Sequence, residues 1–130
     1  MLKLWENARM ITVYGISNCD TVKKARAWLA GQGAAYEFHD FKELGVPAEK
    51  LAAWGKAVGW EKLLNREGST WRKLDVAAQT GIKDAVSAMT LMRAQPSIIK
   101  RPVVEWGLEG GATTVGFNPK SWAATHAITL

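Results

Sequence analysis

The sequence predicts an α/β protein with the element order βαβ, helical block, ββα. A strand, a helix and a second strand are predicted within Met10–Phe41, apolar residues recur at helical spacing in the middle of the chain, and strand-like runs return after Pro96. The chain has 130 residues, of which 48% are hydrophobic and 22% charged. A chain of this length and composition forms a globular core without disulfides, unlike disordered, collagen-like or coiled-coil proteins.

The first third of the chain predicts a βαβ unit. Met10–Ile16 is a β-branched and aromatic run, which is typical of a buried strand. Asp20–Ala30 carries apolar residues at helical spacing, and we expect Gly31 and Gly33 to end this helix as C-cap residues. Ala35–Phe41 alternates as a second strand does. The two strands should be parallel and joined by a right-handed crossover.

The middle of the chain predicts four helices. Each is an apolar-periodic stretch bounded by proline, glycine or a polar turn. They are expected from Pro47 to about Val58, over Trp60–Asn65, over Trp71–Thr80 with Gly81 as the end, and over Asp84–Ala94 ahead of Pro96.

The last third predicts two antiparallel strands and a helix. Ser97–Trp106 and Ala112–Phe117 flank the glycine-rich segment Gly107–Gly111, which is typical of a hairpin. Asn118 is expected to cap a helix that begins near Pro119 and runs through Ser121–His126.

Charge and termini narrow the classes of function. The formal net charge is +5, and residues 60–101 hold eight basic residues against four acidic ones. This charge permits nucleic-acid binding, and a small anionic molecule suits a few arginines equally well. Because the chain has no basic run and no nucleic-acid motif, we rank nucleic-acid binding last. Glu6 and Arg9 interrupt the apolar stretch of a secretory signal, and no apolar run reaches membrane-spanning length. We therefore expect a cytoplasmic protein with no membrane partner.

Cys19 is the only cysteine of the chain, and it falls at the predicted junction of the first strand and the first helix. Backbone N–H groups at a helix N-terminus carry partial positive charge, which favours a reactive thiolate. A lone cysteine is also commonly an inert buried residue, so both interpretations stay open here. Only His39 and His126, which lie far from Cys19 in the sequence, could join it as histidine ligands of a metal. We therefore expect no dedicated metal site.

Arg101 and Arg66 are the two arginines that the local sequence identifies as candidate site residues. Pro102 opens a predicted strand although proline cannot donate to a sheet, which either a cis Arg101-Pro102 bond or a trans proline at a strand edge explains. Arg66 follows the apolar pair Leu63 and Leu64 and precedes a Gly-Ser turn. Its guanidinium either projects into a cleft or lies on the surface.

Three motifs follow one another along the chain: ITVYGISNCDTVKKARAWL, then LLNREGSTWR, then QPSIIKRPVVE with a hairpin and VGFNP behind it. Over about residues 10–125 this combination resembles the arsenate reductase-like (ArsC) family, which includes the Spx/MgsR-like proteins. It is most similar to the YffB-like branch of glutathione-dependent thiol reductases. The resemblance implies a thioredoxin-like (glutaredoxin-type) fold with a central mixed sheet. The chain would then be a single domain over 1–130, with βαβ at about 10–42, a helical insertion at about 43–95 and ββα at about 96–126.

The resemblance also implies a site. Cys19 matches the family's nucleophile, Arg66 and Arg101 match arginines that bind the anionic substrate or glutathione, and Pro102 matches the cis-proline. Asn18, next to Cys19, is counted with the substrate- and glutathione-binding residues. The implied co-substrate is glutathione without a metal. Glutathione or a small anionic substrate, a glutaredoxin and a protein disulfide are the implied partners.

Two departures from the family shape the prediction. Arsenate reductases carry another arginine after the hairpin, whereas Thr114–Pro119 has no basic residue, so arsenate reduction itself is not implied. Val22 stands where the regulators have the second cysteine of Cys-x-x-Cys, which excludes an intramolecular disulfide switch. The sequence thus favours an oxidoreductase in which Cys19 attacks a disulfide or an oxyanion and glutathione resolves the adduct. The alternative is a non-enzymatic, Spx-like regulatory module that binds a protein partner.

Overall fold

The computed structural model describes residues 10–107 and 112–125, and the chain falls into two compact units. Of the described residues, 10–40, 101–107 and 112–125 form one unit, and Phe41–Lys100 form the other. In chain order the elements are β1 (Ile11–Gly15), α1 (Asp20–Gly31), β2 (Tyr36–Asp40), α2 (Phe41–Leu44), α3 (Ala48–Val58), α4 (Trp60–Leu63), α5 (Ser69–Arg72), α6 (Val76–Thr80), α7 (Ala85–Ala94), a 3-10 turn (Pro96–Ile98), β3 (Val103–Glu105), β4 (Thr113–Val115) and α8 (Pro119–Thr125).

A four-stranded mixed sheet in the order β2-β1-β3-β4 forms the centre of the first unit. β1 and β2 are parallel, with Val13 opposite Phe38, as the βαβ prediction requires. β3 runs antiparallel to β1, with Val103 opposite Tyr14, and also antiparallel to β4. The predicted α/β class and thioredoxin-like fold with its central mixed sheet are confirmed.

The core of the first unit fixes α1 against the sheet. Val13 and Val104 are paired on neighbouring strands and cluster with Leu29 of α1 and Trp122 of α8, all of them buried. The Trp122 ring meets three other aromatic rings edge-on, those of Trp28 at 5.7 Å, Trp106 at 4.9 Å and Phe117 at 4.9 Å between centroids. Burial on this scale is the main stabilising contribution to such a unit, and it holds the β1–α1 junction in place.

The second unit contains the predicted helical block. α3 begins after Pro47, as expected, and buries Leu51 and Trp54. Gly55 of α3 allows Met89 of α7 to approach closely, because a Cβ at Gly55 would clash with the Met89 Cε atom. The prediction of one domain spanning 1–130 stays a prediction.

Two predicted helical boundaries are wrong. The helix expected over Trp71–Thr80 is two helices, α5 and α6, because the Asp75 side chain accepts a hydrogen bond from the Ala78 N–H (2.8 Å) and caps a new helix. Gly31 lies inside α1 rather than after it. Gln32 is the C-cap, and only Gly33, with φ of 72°, adopts the left-handed conformation expected of a terminating glycine.

The strand predicted over Ser97–Trp106 is shorter than expected. Pro96 starts a 3-10 turn, and the regular strand covers only Val103–Glu105. Between them, Ile99 forms an isolated antiparallel bridge with Leu64. The segment from Pro96 to Glu105 therefore holds three separate conformations, because its two prolines each remove a backbone donor.

The hairpin and the last helix agree with the prediction. β3 and β4 are antiparallel, and the Asn118 side chain caps α8 by accepting from the Ser121 N–H (2.9 Å). The predicted turn residues 108–111 and His126 lie outside the described residues. Within the part of the chain that the structure describes, no helix is long and apolar enough to cross a membrane.

Candidate active site at Cys19

Cys19 is the N-cap residue of α1 and directly follows the turn that ends β1. Its N–H donates to the carbonyl of Ile16 (3.2 Å), which closes the turn, and its own carbonyl accepts the first helical hydrogen bond from Lys23 (2.9 Å). The backbone at Cys19 is extended, with φ of −89° and ψ of 126°, as N-cap residues are. Cys19 is half-buried, so part of the residue remains exposed to solvent.

Arg101 reaches Cys19 from the start of β3. Val103 lies opposite Tyr14 in the antiparallel ladder, so the residues before β3 lie beside the residues after β1. The Arg101-Pro102 peptide bond is cis, one of the two arrangements that the sequence left open. The Pro102 carbonyl accepts from the Gly116 N–H (2.8 Å), which anchors this backbone to the hairpin. From there the Arg101 guanidinium acts on the Cys19 thiol through hydrogen bonding and through its positive charge, and both effects lower the thiol pKa.

Opposing effects set the pKa of the Cys19 thiol. Partial burial raises it, because a thiolate loses water there. The backbone N–H of Val22, the hydrogen bond and positive charge of Arg101, and the N–H of Thr21 lower it and together outweigh burial. The Cys19 side chain accepts no cap hydrogen bond of full geometry, so several weak donors together lower its pKa. The pKa of Cys19 therefore lies below the ordinary value of a thiol, which increases the nucleophilic fraction at neutral pH.

Arg66 belongs to the second unit and is exposed. It follows α4, and its guanidinium carbon lies 5.9 Å from the centroid of the Trp60 ring and 5.4 Å from that of the Trp71 ring. The structure thus brings Cys19, Arg101 and Pro102 together in the first unit and places Arg66 between two indole rings in the second.

The structure also describes Asn18 and His39, two further residues considered as candidates from the sequence. Asn18 lies exposed in the turn just before Cys19. His39 is opposite Tyr14 in the sheet, with the two ring centroids 4.9 Å apart, which is a packing role. Among the residues described by the structure, no group of three His, Cys, Asp or Glu side chains could hold a metal ion.

Comparison with known proteins places these features in a family. The ArsC family model matches residues 14–125, which include Cys19, Arg66 and Arg101. The chain belongs to the ArsC family. A Haemophilus influenzae protein described as uncharacterized is 39% identical to it, over 91% of this chain and all of that protein.

The chain is also similar to two proteins of solved structure and to a transcriptional regulator. The solved structure of a YFFB protein is 49% identical, with a TM-score of 0.81 over 88% of this chain and 97% of that one. An arsenate reductase (ArsC) related protein from Brucella melitensis is 50% identical, with a TM-score of 0.70 over 89% and 93%. The global transcriptional regulator Spx of Streptococcus agalactiae is 28% identical over 84% of this chain and 77% of its own length. The chain is therefore similar in sequence both to an arsenate reductase-related protein and to a transcriptional regulator.

The sequence alone does not identify the N–H group beside Cys19 in the first unit or the ring contacts of Arg66 in the second. It identifies Val22 only as the residue replacing a second cysteine, yet the Val22 N–H makes the largest single contribution among the effects that lower the Cys19 pKa. The sequence places Trp60 and Trp71 in helices and, as two of seven tryptophans, too many for one small core, makes them candidates for a partner surface or the active-site rim. It does not predict their contacts with Arg66. No sequence signal identifies them, because ring contacts made across separate short helices follow no fixed spacing.

Gly15 holds the first turn of α1 close to β1. A Cβ at Gly15 would lie 2.7 Å from the Cγ2 atom of Val22, closer than side chains approach one another. Val22 is fully buried and β-branched, so it has little freedom to turn aside. The glycine is thus required for the close approach of Val22, whose N–H acts on the thiol.

We expect the Gly15→Ala substitution to destabilise the protein by about 1–3 kcal/mol through overpacking, and to raise the pKa of Cys19 by displacing the Val22 N–H. Urea unfolding measures the first effect, and the pH dependence of thiol alkylation measures the second. Gly31→Ala is the matched control, because a Cβ there meets nothing within 4 Å. Equal stability and equal thiol pKa in Gly15→Ala and wild type would show that Val22 is not held by this contact.

Proposed function

We propose that this ArsC-family protein is a glutathione-dependent oxidoreductase that reduces disulfides or oxyanions with Cys19 as its sole nucleophile. The observation that carries the proposal is the lowered pKa of the Cys19 thiol, produced by Arg101 and the first N–H groups of α1 despite partial burial. Hydrogen-bond donors and a positive charge of this kind are not expected around an inert buried cysteine. Membership of the arsenate reductase-like family supports the same reaction class.

With a glutathione mixed disulfide as substrate, the reaction has two exchanges. The Cys19 thiolate attacks the glutathione sulfur, the S–S bond breaks, and the other thiol leaves as a thiolate that takes up a proton. A second glutathione, as its thiolate, then attacks the glutathione sulfur bound to Cys19. This step releases oxidised glutathione and regenerates the Cys19 thiolate. Because Cys19 is the only cysteine in the chain, the resolving thiol comes from outside.

The proposed roles of the remaining residues follow from their chemistry. Arg101 stabilises the Cys19 thiolate both as attacking group and as leaving group, because it donates to the sulfur. Arg66 binds a carboxylate of glutathione, Asn18 contributes a polar contact beside the sulfur, and Pro102 places Arg101. The cytoplasm, where glutathione keeps thiols reduced, is the proposed location. A glutaredoxin or a protein disulfide are the proposed protein partners.

Mass spectrometry after incubation with oxidised glutathione tests this function. We expect one glutathionyl group per chain, located on Cys19 and removed by reduced glutathione. The lowered pKa of Cys19 increases the thiolate fraction near pH 7, which favours this exchange. Peptide mapping checks the position of the adduct. No adduct at neutral pH would contradict the proposal.

A second candidate function is regulation through a protein partner. It is favoured by the 28% identity to the transcriptional regulator Spx over 84% of the chain. This alternative predicts that the Cys19 thiol titrates near the ordinary value of about 8.5 and that glutathione does not react with it. Alkylation rates across pH 5–10 distinguish the two functions, because the inflection moves to lower pH only for the activated thiol.

A further inference from the structure

Two indole rings flank the guanidinium of Arg66. The Arg66 guanidinium carbon lies over the Trp60 ring, at 5.9 Å, and over the Trp71 ring, at 5.4 Å. Both tryptophans are half-buried, in α4 and α5, whereas Arg66 is exposed. A cation within about 6 Å of an aromatic face is attracted to it, and indole is the most favourable ring. The side chain is therefore restrained although it is exposed to water.

The backbone on both sides of Arg66 is also held. The Asn65 N–H donates to the carbonyl of Ile98 (2.9 Å), and the Asn65 Oδ1 accepts from the Glu67 N–H (3.1 Å). The Nε of Arg72 donates to the carbonyl of Glu67 (3.0 Å). Arg66 therefore projects from a tight loop fixed at the residue before it and at the residue after it.

The restrained guanidinium keeps its donors available. Within residues 10–107 and 112–125, the ring contacts to Trp60 and Trp71 are the interactions of the Arg66 side chain, which makes no hydrogen bond or ion pair there. A guanidinium offers five N–H donors in a planar fork that matches a carboxylate. Holding such a fork in place before binding reduces the conformational entropy that the ligand must overcome.

We propose that Trp60 and Trp71 are positioning residues that hold Arg66 for a carboxylate of the thiol co-substrate and so favour anionic over neutral thiols. This inference rests on the proposed function, because it takes glutathione as the resolving thiol. It goes beyond that function by assigning the preference for a carboxylate-bearing thiol to the two indole rings.

The kinetic test compares Trp60→Leu and Trp71→Leu with the matching phenylalanine variants. Each leucine variant is expected to raise the KM for glutathione about two- to five-fold, the effect of one exposed cation–π contact, while kcat changes little. Each phenylalanine variant retains an aromatic face and should recover most of the loss. The rate with 2-mercaptoethanol, a neutral thiol, should be the same in all variants. A parallel loss with both thiols would overturn the proposal, since it would show a general structural effect.

A double-mutant cycle shows whether the rings act through Arg66. In an Arg66→Met background, Trp71→Leu should have no further effect on the KM for glutathione, because the group it positions is gone. If Trp71→Leu raises the KM equally with and without Arg66, the tryptophan acts by another route and the proposal is wrong.

Binding of S-methylglutathione, followed by calorimetry, separates this inference from the proposed function. This ligand keeps both carboxylates but cannot exchange its sulfur. Weaker binding to Trp71→Leu than to wild type, with no such difference in the Arg66→Met background, supports the positioning role even if wild-type protein proves inactive with glutathione. Equal binding by wild type and Trp71→Leu, or no binding by wild type, overturns it even if glutathione turnover is observed.

Discussion

The Cys19→Ser variant is expected to lose thiol-transfer activity by a factor on the order of 10³ or more, down to the uncatalysed rate. Serine is close to cysteine in size and keeps the N-cap position, so α1 should form normally. Its hydroxyl, however, does not ionise near neutral pH, and oxygen cannot form the mixed disulfide that carries the reaction. The measurement is the rate of reduction of a glutathione mixed disulfide at a fixed concentration of glutathione.

Ser17→Ala is the matched control for this experiment, because Ser17 lies exposed in the same turn. It should retain wild-type turnover and wild-type resistance to urea. Circular dichroism and urea unfolding should also show a folded Cys19→Ser variant. Substantial activity in folded Cys19→Ser protein would mean that another group performs the chemistry, and the assignment of Cys19 as nucleophile would then fail.

The fold could be predicted where local pattern and global structure agree. The parallel pair β1 and β2, with α1 between them, follows from apolar periodicity and from residues that favour strands or helices. The break between α5 and α6 could not be found in this way, because apolar periodicity continues across it. The Asp75 side chain decides the outcome by capping α6, and an aspartate in the middle of a helical pattern is ambiguous in sequence.

The site could be predicted only in part, for a reason that the residues make clear. A cysteine at a strand-to-helix junction is a local feature, so the position of Cys19 at the N-cap of α1 follows from the sequence. Its contact with Arg101 depends on antiparallel pairing between strands separated by most of the chain. No local pattern encodes such a pairing, and only the family resemblance suggested it. The contact of Val22 with Gly15 depends on side-chain packing, which hydrophobic patterning does not specify.

Replacing Arg101 by methionine is expected to raise the pKa of the Cys19 thiol and to lower turnover near pH 7 about ten-fold. Burial still raises this pKa in the variant, while only the N–H groups of Val22 and Thr21 remain to oppose it. Arg101→Lys keeps the positive charge but loses the planar guanidinium. The pKa of Cys19 in this variant should therefore lie between its values in wild type and in Arg101→Met. Alkylation by iodoacetamide, an uncharged reagent that the arginine does not attract, measures the thiolate fraction across pH.

Arg93→Met is the matched control for this variant, because it removes an exposed arginine from the last turn of α7. It changes the net charge equally and should leave the alkylation profile of Cys19 in place. If Arg101→Met and Arg93→Met both reproduce the wild-type profile, the Arg101 hydrogen bond does not activate the thiol. In that case the α1 N–H groups alone would have to account for the lowered pKa.

The Arg101→Met substitution should also change how the free energy of unfolding depends on pH. The folded wild type binds the Cys19 proton more weakly than the unfolded chain does, because its thiol pKa is lowered. Between the folded and the unfolded pKa the unfolded chain therefore carries more protons, and the free energy of unfolding rises with pH. This contribution is fully present above the unfolded pKa and is lost as the pH falls through the folded one. In Arg101→Met the folded pKa of Cys19 lies closer to the unfolded pKa. The free energy of unfolding of this variant, measured with urea, should therefore depend less on pH in this range than that of wild type. An equal dependence in both proteins would contradict the role assigned to Arg101, and Cys19→Ser, which has no thiol to titrate, supplies the baseline.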